Sequence, residues 1–393
     1  MKIAIVTYVK TATCNYGAEL QGYALQYKLN SMGFQTEVLD LHRVLPGNSK
    51  FINSTVMAIK KRYQNLSFSS ATLSTIRLIF SVLKDKYYLK KNRELFEQKR
   101  EKFHAFFYEN IKHSSKEYFP DDLDSVNLDY DTYIAGSDQI WNFKNSDRVD
   151  VFFLMFANRF NAKKISYAAS FSVSEIPLEY QEAYIKWINN IDFLSVRESA
   201  GVNIVKKLTG KKAELVCDPT LLLDKNEWMA QFPMQAKPAL KEKFVVIYSM
   251  SRSSCVYTVA KKIAHQLGDI QIVNIKTNFT PTFVNGITDL FDVTPPIWLW
   301  LICNAEYVVT DSFHGTAFSI NFNKQFVTIQ KKISDLNSRV ETILTKFDLK
   351  ERIYYDDDSQ NIPTANIDYE EINKDIKNWR NASLNFLIQS LKS

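Results

Sequence analysis

The stretch Val308-Val309-Thr310-Asp311-Ser312-Phe313-His314-Gly315-Thr316-Ala317-Phe318-Ser319-Ile320 runs from β-forming residues through Thr-Asp-Ser into a His-Gly pair and an apolar amphipathic segment. That order spells a strand, a tight turn and a helix start. His314 is therefore expected at or near a helix N-terminus. Backbone N–H groups there attract anions, and an imidazole beside a bound anion can hold or pass a proton. A lone histidine in a sheet protein is also commonly a buried group satisfied by a carbonyl. Its position after a strand favours function, because open α/β sheets bind ligands beyond the carboxyl ends of their strands.

The same arrangement recurs along the chain. Asn15 and Gly17 follow a strand at 2–8, and Ser137, Asp138 and Gln139 follow one that starts at Tyr130. Ser170 and Arg197 end two further strands, at 164–171 and 193–198. These polar residues should cluster along one sheet edge. An arginine at a strand's carboxyl end can fork onto phosphate or carboxylate, although a surface salt bridge is its ordinary role. Arg339 is expected in the first turn of a helix that begins at Ser338, facing the cleft or solvent. Asp311 has two readings, orienting the imidazole or capping the helix that follows it.

The elements that must position these residues read as two α/β halves. A strand at 2–8, a helix at 16–29 ended by Gly33 and a strand at 35–41 form a βαβ unit with parallel strands, without a GxGxxG. The first Rossmann-like domain is expected over 1–225, with a basic helical insertion at about 46–115. A polar stretch around 224–243, with Pro233 and Pro238, reads as the linker. A second Rossmann-like domain should cover 240–368, and the helical tail 369–393 could pack back on the first. Two such halves facing a central cleft describe a GT-B-like α/β architecture, and fold alone does not decide the reaction.

Composition narrows the classes further. The 393 residues are 46% apolar and 23% charged, which is globular and long enough for two domains. No apolar run approaches the length of a transmembrane helix or a signal peptide, so a cytoplasmic protein is expected. Four scattered cysteines and five histidines show no metal-ligand spacing, so neither a bound metal nor a cofactor is expected. Between Lys50 and Lys112 fourteen Lys/Arg face five Asp/Glu, interleaved with aromatics. This reads first as a solvated amphipathic insertion, second as a peripheral contact at the inner membrane face, and least as a nucleic-acid site, since no such motif occurs.

Taken together, Asn15-Tyr16-Gly17-Ala18-Glu19-Leu20-Gln21, Gly136-Ser137-Asp138-Gln139-Ile140-Trp141-Asn142, Ser195-Val196-Arg197-Glu198, Asp218-Pro219-Thr220 and the Thr310–Ser319 stretch resemble, in order, the polysaccharide pyruvyl transferase family. The resemblance implies a GT-B-like fold and transfer of an enolpyruvyl-derived group from phosphoenolpyruvate, as co-substrate, to a sugar or lipid-linked oligosaccharide, usually as a cyclic ketal. Family members with a basic-histidine motif carry an arginine two residues before the histidine, and here that position is Ser312. Beside Ser312, the donor's charges should then fall to Arg197 and Arg339. His314 is expected as general acid/base with Asp311 beside it, and Asn15, Glu19, Asp138 and Gln139 as sugar contacts. A GT-B glycosyltransferase using a nucleotide sugar and a non-catalytic glycan-binding protein are the competing readings.

Overall fold

A computed structural model describes the chain except for residues 11–13, 43–67, 234–237, 252, 333–336, 357–361 and 364. The first half holds β1 (Lys2–Val6), α1 (Tyr16–Ser31), β2 (Gln35–Leu41), α2 (Phe68–Lys91), α3 (Arg93–Asn110), β3 (His113–Tyr118), β4 (Thr132–Ala135) and β5 (Lys163–Ser166). It continues with α4 (Leu178–Asn189), β6 (Ser195–Val196), α5 (Ser199–Thr209), β7 (Glu214–Leu215) and α6 (Lys225–Gln231). The second half holds β8 (Phe244–Tyr248), α7 (Cys255–Gln266), β9 (Gln271–Ile275), β10 (Ile287–Leu290), α8 (Pro295–Asn304) and β11 (Tyr307–Thr310). After these come α9 (Phe313–Asn321), β12 (Gln325–Gln330), α10 (Asn337–Lys346), β13 (Ile353–Tyr355) and α11 (Glu370–Lys392).

Both main sheets are parallel. The first has the order β3-β2-β1-β4-β5, extended by the small β6-β7 pair, and the second β10-β9-β8-β11-β12-β13. The central strands carry continuous apolar runs, Ile3-Ala4-Ile5-Val6 and Phe244-Val245-Val246-Ile247, which parallel strands covered on both faces require. In each sheet the strand order reverses once, between β1 and β4 and between β8 and β11. Crevices for ligands form at such switch points, outside the carboxyl ends of the strands. Two Rossmann-like halves with their switch points turned to one cleft give the GT-B-like fold.

One hydrophobic core runs through both halves. Tyr16, the first residue of α1, is fully buried and stacks on Trp298 of α8 with ring centroids 5.6 Å apart. Its hydroxyl donates to the Val293 carbonyl at 3.0 Å. The N-terminus of α1 is thus anchored against the opposite half. Helix α11 ties down the end of the first half, where Ser383 Oγ accepts from Cys217 N at 2.9 Å and Arg380 Nε donates to the Leu221 carbonyl at 2.6 Å.

The insertion differs from the solvated helical segment expected at 46–115. Part of it, 46–67, lies outside the described residues. Helix α3 is built into the core through buried Phe103, Phe106 and Phe107, and residues from His113 onward form edge strand β3. Strand β3 has the sequence HSSKEY, too polar to show alternation, and it exists because β2 supplies backbone partners. The expected linker opens with a helix, α6, started by a capping box between Asp224 and Glu227. Among the described residues no helix is long and apolar enough to cross a membrane.

Candidate active site

The site forms where the two switch points meet. After β1 the chain reaches Asn15, whose Oδ1 caps α1 by accepting from Gly17 N at 3.1 Å and Ala18 N at 3.4 Å. After β4, Asp138 adopts a left-handed φ of 72°, which turns the chain sharply at the strand end. From the other half, β11 ends in Thr310, and Ser312 caps α9 by accepting from Gly315 N at 3.5 Å. Helix α9 begins at Phe313, so His314 is its second residue. A cavity of about 390 Å³ is lined by Asn15, Asp138 and Gln139 from the first half and by Ser312, His314, Lys331 and Arg339 from the second.

Two glycines allow the close approach. A Cβ on Gly17 would overlap the His314 ring at Nδ1. The imidazole thus lies against bare backbone at the start of α1, contributed by the other half of the chain. A Cβ on Gly315 would overlap Thr310 Oγ1, whose own bond to the Tyr248 carbonyl fixes the end of β11.

His314 is buried, and its Nε2 is shielded from water with no hydrogen-bond partner among the described residues. The paired carboxylate is Asp218 of the first half, with Oδ2 at 3.8 Å from Nε2. Burial pushes the His314 pKa below its ordinary value, against the pull of Asp218 and with help from Arg197 and Arg339. The resting imidazole is neutral. Burial alone would raise the Asp218 pKa, but His314, Arg197 and bonds from Thr220 draw it down to about 2. Asp218 is therefore a fixed anion facing a neutral imidazole, ready to stabilise the imidazolium that proton uptake creates.

Arg197 departs from the expected donor-binding role. Its side chain is wholly buried behind the wall, with Nη1 donating to Asp218 Oδ2 at 2.7 Å, Nη2 3.6 Å from Asp138 and Nε 3.9 Å from Glu198. Its guanidinium lies 4.4 Å from the centre of the Phe313 ring, which covers it. Only Nη1 is hydrogen-bonded, Nε and Nη2 have no hydrogen-bond partner among the described residues, and Arg197 is not part of the cavity lining, so it organises the wall from behind. Glu198 in turn holds the backbone after β5, accepting from Ser170 Oγ, Phe171 N and Ser172 N.

Arg339 does line the cavity, and burial together with nearby Arg197 lowers its pKa to about 10, which leaves it charged at neutral pH. Its Nη1 and Nη2 lie 3.1 and 3.3 Å from the Gln139 amide, whose oxygen must face them because a guanidinium offers only donors. Arg339 Nε has no partner among the described residues.

Two further expectations are corrected. Asp311 neither caps α9, which Ser312 does, nor pairs with the imidazole. Its carboxylate binds the loop after β8, accepting from Ser249 Oγ at 2.6 Å, Met250 N at 2.7 Å and Ser251 N at 3.0 Å. It shapes the cavity wall by holding a loop. Glu19, expected at a sugar, is fully buried in the first turn of α1 and does not reach the cavity wall. Asn15, Asp138 and Gln139 do reach it.

Sequence reasoning gave no role to Asp218 or Lys331. Lys331 follows β12 directly and is exposed on the cavity wall, so the strand-end rule applied to β12 would have found it. Asp218-Pro219-Thr220 carries the signature of a short-helix cap, which it is, and nothing local announces the second role of its carboxylate.

The profile of a family described as polysaccharide pyruvyl transferase matches residues 15–330. Among curated proteins none matches the sequence. Among solved structures, the chain is similar to the UDP-GlcNAc 2-epimerase of Methanocaldococcus jannaschii, at 10% identity and TM-score 0.48, over 96% of this chain and 92% of that one. It is also similar to the UDP-GlcNAc 2-epimerase of Neisseria meningitidis bound to UDP-GlcNAc, at 9% identity and TM-score 0.46, over 100% and 99% of the two chains. A third similarity is to the trehalose-6-phosphate synthase OtsA, at 8% identity and TM-score 0.43, over 99% and 96%.

Proposed function

The chain belongs to the polysaccharide pyruvyl transferase family, and from that premise we propose that it moves the pyruvyl group of phosphoenolpyruvate onto two hydroxyls of a sugar in a polysaccharide or its lipid-linked precursor. The product is a cyclic ketal and the leaving group is phosphate. The observation that carries this reading is the neutral His314 facing the fixed anion Asp218 at 3.8 Å, in a cavity whose wall holds the cations Arg339 and Lys331.

The chemistry needs a proton moved from a hydroxyl to carbon. The first sugar hydroxyl attacks the central carbon of the donor while the terminal methylene is protonated. The second hydroxyl then displaces phosphate and gives up its proton with it. A neutral imidazole first takes the hydroxyl's proton as base, and the imidazolium then protonates the methylene as the oxygen attacks the central carbon, the C=C pair passing into the new C–H bond. Asp218 offsets the positive charge on His314 between the two events.

The donor carries a phosphate and a carboxylate. Arg339 keeps an Nε with no partner among the described residues, while its Nη1 and Nη2 lie on the Gln139 amide, and Lys331 adds a second positive charge. With Arg197 set behind the cavity wall, these two take donor binding beside the N-terminus of α9 and Ser312. Asn15, Asp138 and Gln139 face them and supply the acceptor's hydrogen bonds.

Incubating the pure protein with phosphoenolpyruvate and a panel of galactosides tests the reading. Phosphate release with a matching mass gain on the sugar is expected. Turnover of a UDP- or GDP-sugar with none of phosphoenolpyruvate would replace it with glycosyl transfer.

A further inference from the structure

A second groove, of about 750 Å³, opens beside the cavity and shares Ser251 with it. One wall is α2. The other includes Lys276 and Thr280, just beyond the end of β9. Along α2, Ile76, Phe80, Leu83 and Tyr87 are spaced four, three and four residues apart, so they share one helix face. A globular helix ordinarily buries such a stripe, as α3 does with Phe103, Phe106 and Phe107. On α2 it stays open, with Phe80 68%, Leu83 57% and Tyr87 60% exposed.

The groove also carries two lysines. Lys84 stands between Phe80 and Tyr87 on the wall, its Nζ 4.1 Å from the centre of the exposed Phe283 ring. Lys276 is only 7% exposed, with Nζ donating to Thr282 Oγ1 at 3.1 Å, and burial lowers its pKa against the opposing pull of Asp289 and Asp85. Beneath it, buried Lys99 donates to the Lys276 carbonyl at 2.9 Å. Among the described residues Asp85 is the one carboxylate on the groove wall, and it accepts from Thr280 Oγ1 at 2.6 Å. Aromatic faces beside Lys84 and Lys276 suit a ligand with apolar ring faces and negative charge.

The 390 Å³ cavity has room for a three-carbon donor and one reacting sugar, so the rest of a saccharide chain must leave it. Past Ser251 it enters the groove. We propose that this groove binds the non-reacting part of an anionic oligosaccharide acceptor, its pyranose faces on Phe80 and Tyr87 and its phosphate or carboxylate at Lys84 and Lys276. This rests on the acceptor class proposed above and adds to it both length and charge.

Calorimetric titration with three probes tests it without requiring turnover: a neutral galactosyl trisaccharide, the same trisaccharide with an anomeric diphosphate, and trigalacturonate. At least one anionic probe should bind about tenfold more tightly than the neutral one, a difference of about 1.4 kcal/mol. Preference for the diphosphate assigns the charge to a phosphate linkage, and preference for trigalacturonate to an acidic sugar. Lys84→Glu should erase the preference, and Phe80→Ser with Tyr87→Ser should weaken all three probes. All three positions are exposed, and circular dichroism checks that the variants fold. Equal binding of neutral and charged probes, no binding of any, or affinities unmoved by the variants would overturn the proposal. So would loss, in the same variants, of binding to phosphatidylglycerol vesicles with no saccharide bound, since the face would then belong to a membrane. Failure of phosphoenolpyruvate turnover with the charge preference intact would sink the reaction and leave the groove.

Discussion

Asp218 Oδ2 and His314 Nε2 stand 3.8 Å apart, and they arrive there from opposite halves of the chain. Asp218 is held by Arg197 Nη1 at 2.7 Å and by Thr220, and His314 by the packing of its ring against Gly17. The Asp218–His314 pair therefore exists only while the two halves are docked.

Replacing His314 by alanine should leave a folded protein whose phosphoenolpyruvate turnover falls by roughly 10²- to 10⁴-fold, the usual contribution of one general acid/base. Phosphate release measured against an unchanged melting curve checks this. Turnover within a few-fold of the parent would remove His314 from the mechanism.

The pH profile follows from the depressed His314 pKa. With the neutral imidazole as the proposed base, kcat/KM should hold at neutral pH and fall only as pH drops through a pKa lying below the ordinary value of 6.5. Stability has the same sign. The unfolded chain takes up the proton first, so stability is undiminished above pH 6.5 and is lost as pH falls from there through the folded-state pKa. His314→Gln should flatten that segment of the stability curve in denaturant titrations.

Arg339 and Arg197 should separate by phenotype. Arg339→Gln removes a cation from the cavity wall and should raise KM for phosphoenolpyruvate by at least about tenfold with a small change in melting temperature. Arg197→Gln leaves Asp218, Asp138 and Glu198 crowded without their cation, and should cost about 3–5 kcal/mol of stability. Urea unfolding of the two variants beside donor titrations distinguishes them. A stable Arg197 variant with only its donor KM raised would return Arg197 to the ligand.

Gly17→Ala places a methyl where the His314 ring lies. The ring must shift, so kcat should fall by about tenfold or more, since a small misplacement of a catalytic group is costly. Donor KM should change less, because Arg339 and Lys331 are on other elements. Normal kcat in this variant would show that the ring's seat against α1 is unimportant.

Much of the frame was legible in the residues. Apolar runs of strand length alternating with amphipathic segments marked the central strands and most helices, and the strand-end rule located His314, Asn15, Asp138 and Gln139 in one cleft. Strands β3, β10 and β13 escaped because they are short edge or flanking strands with mixed polarity, formed by a neighbour's backbone more than by their own pattern.

By itself the sequence determined the two parallel sheets and the position of His314 at the start of a helix, since both follow from local periodicity and capping. What Arg197 and Asp311 do was decided only in three dimensions. Each is a charged residue at a strand end, and their local patterns are as compatible with binding a ligand as with holding the wall. The outcome depends on which oppositely charged or donor groups the packing brings within reach. For Arg197 these are Asp138, Glu198 and Asp218, and for Asp311 the backbone of the loop after β8. The partner of His314 was hidden for the same reason, because Asp218 lies 96 residues away and only the docking of the two halves sets it beside the imidazole.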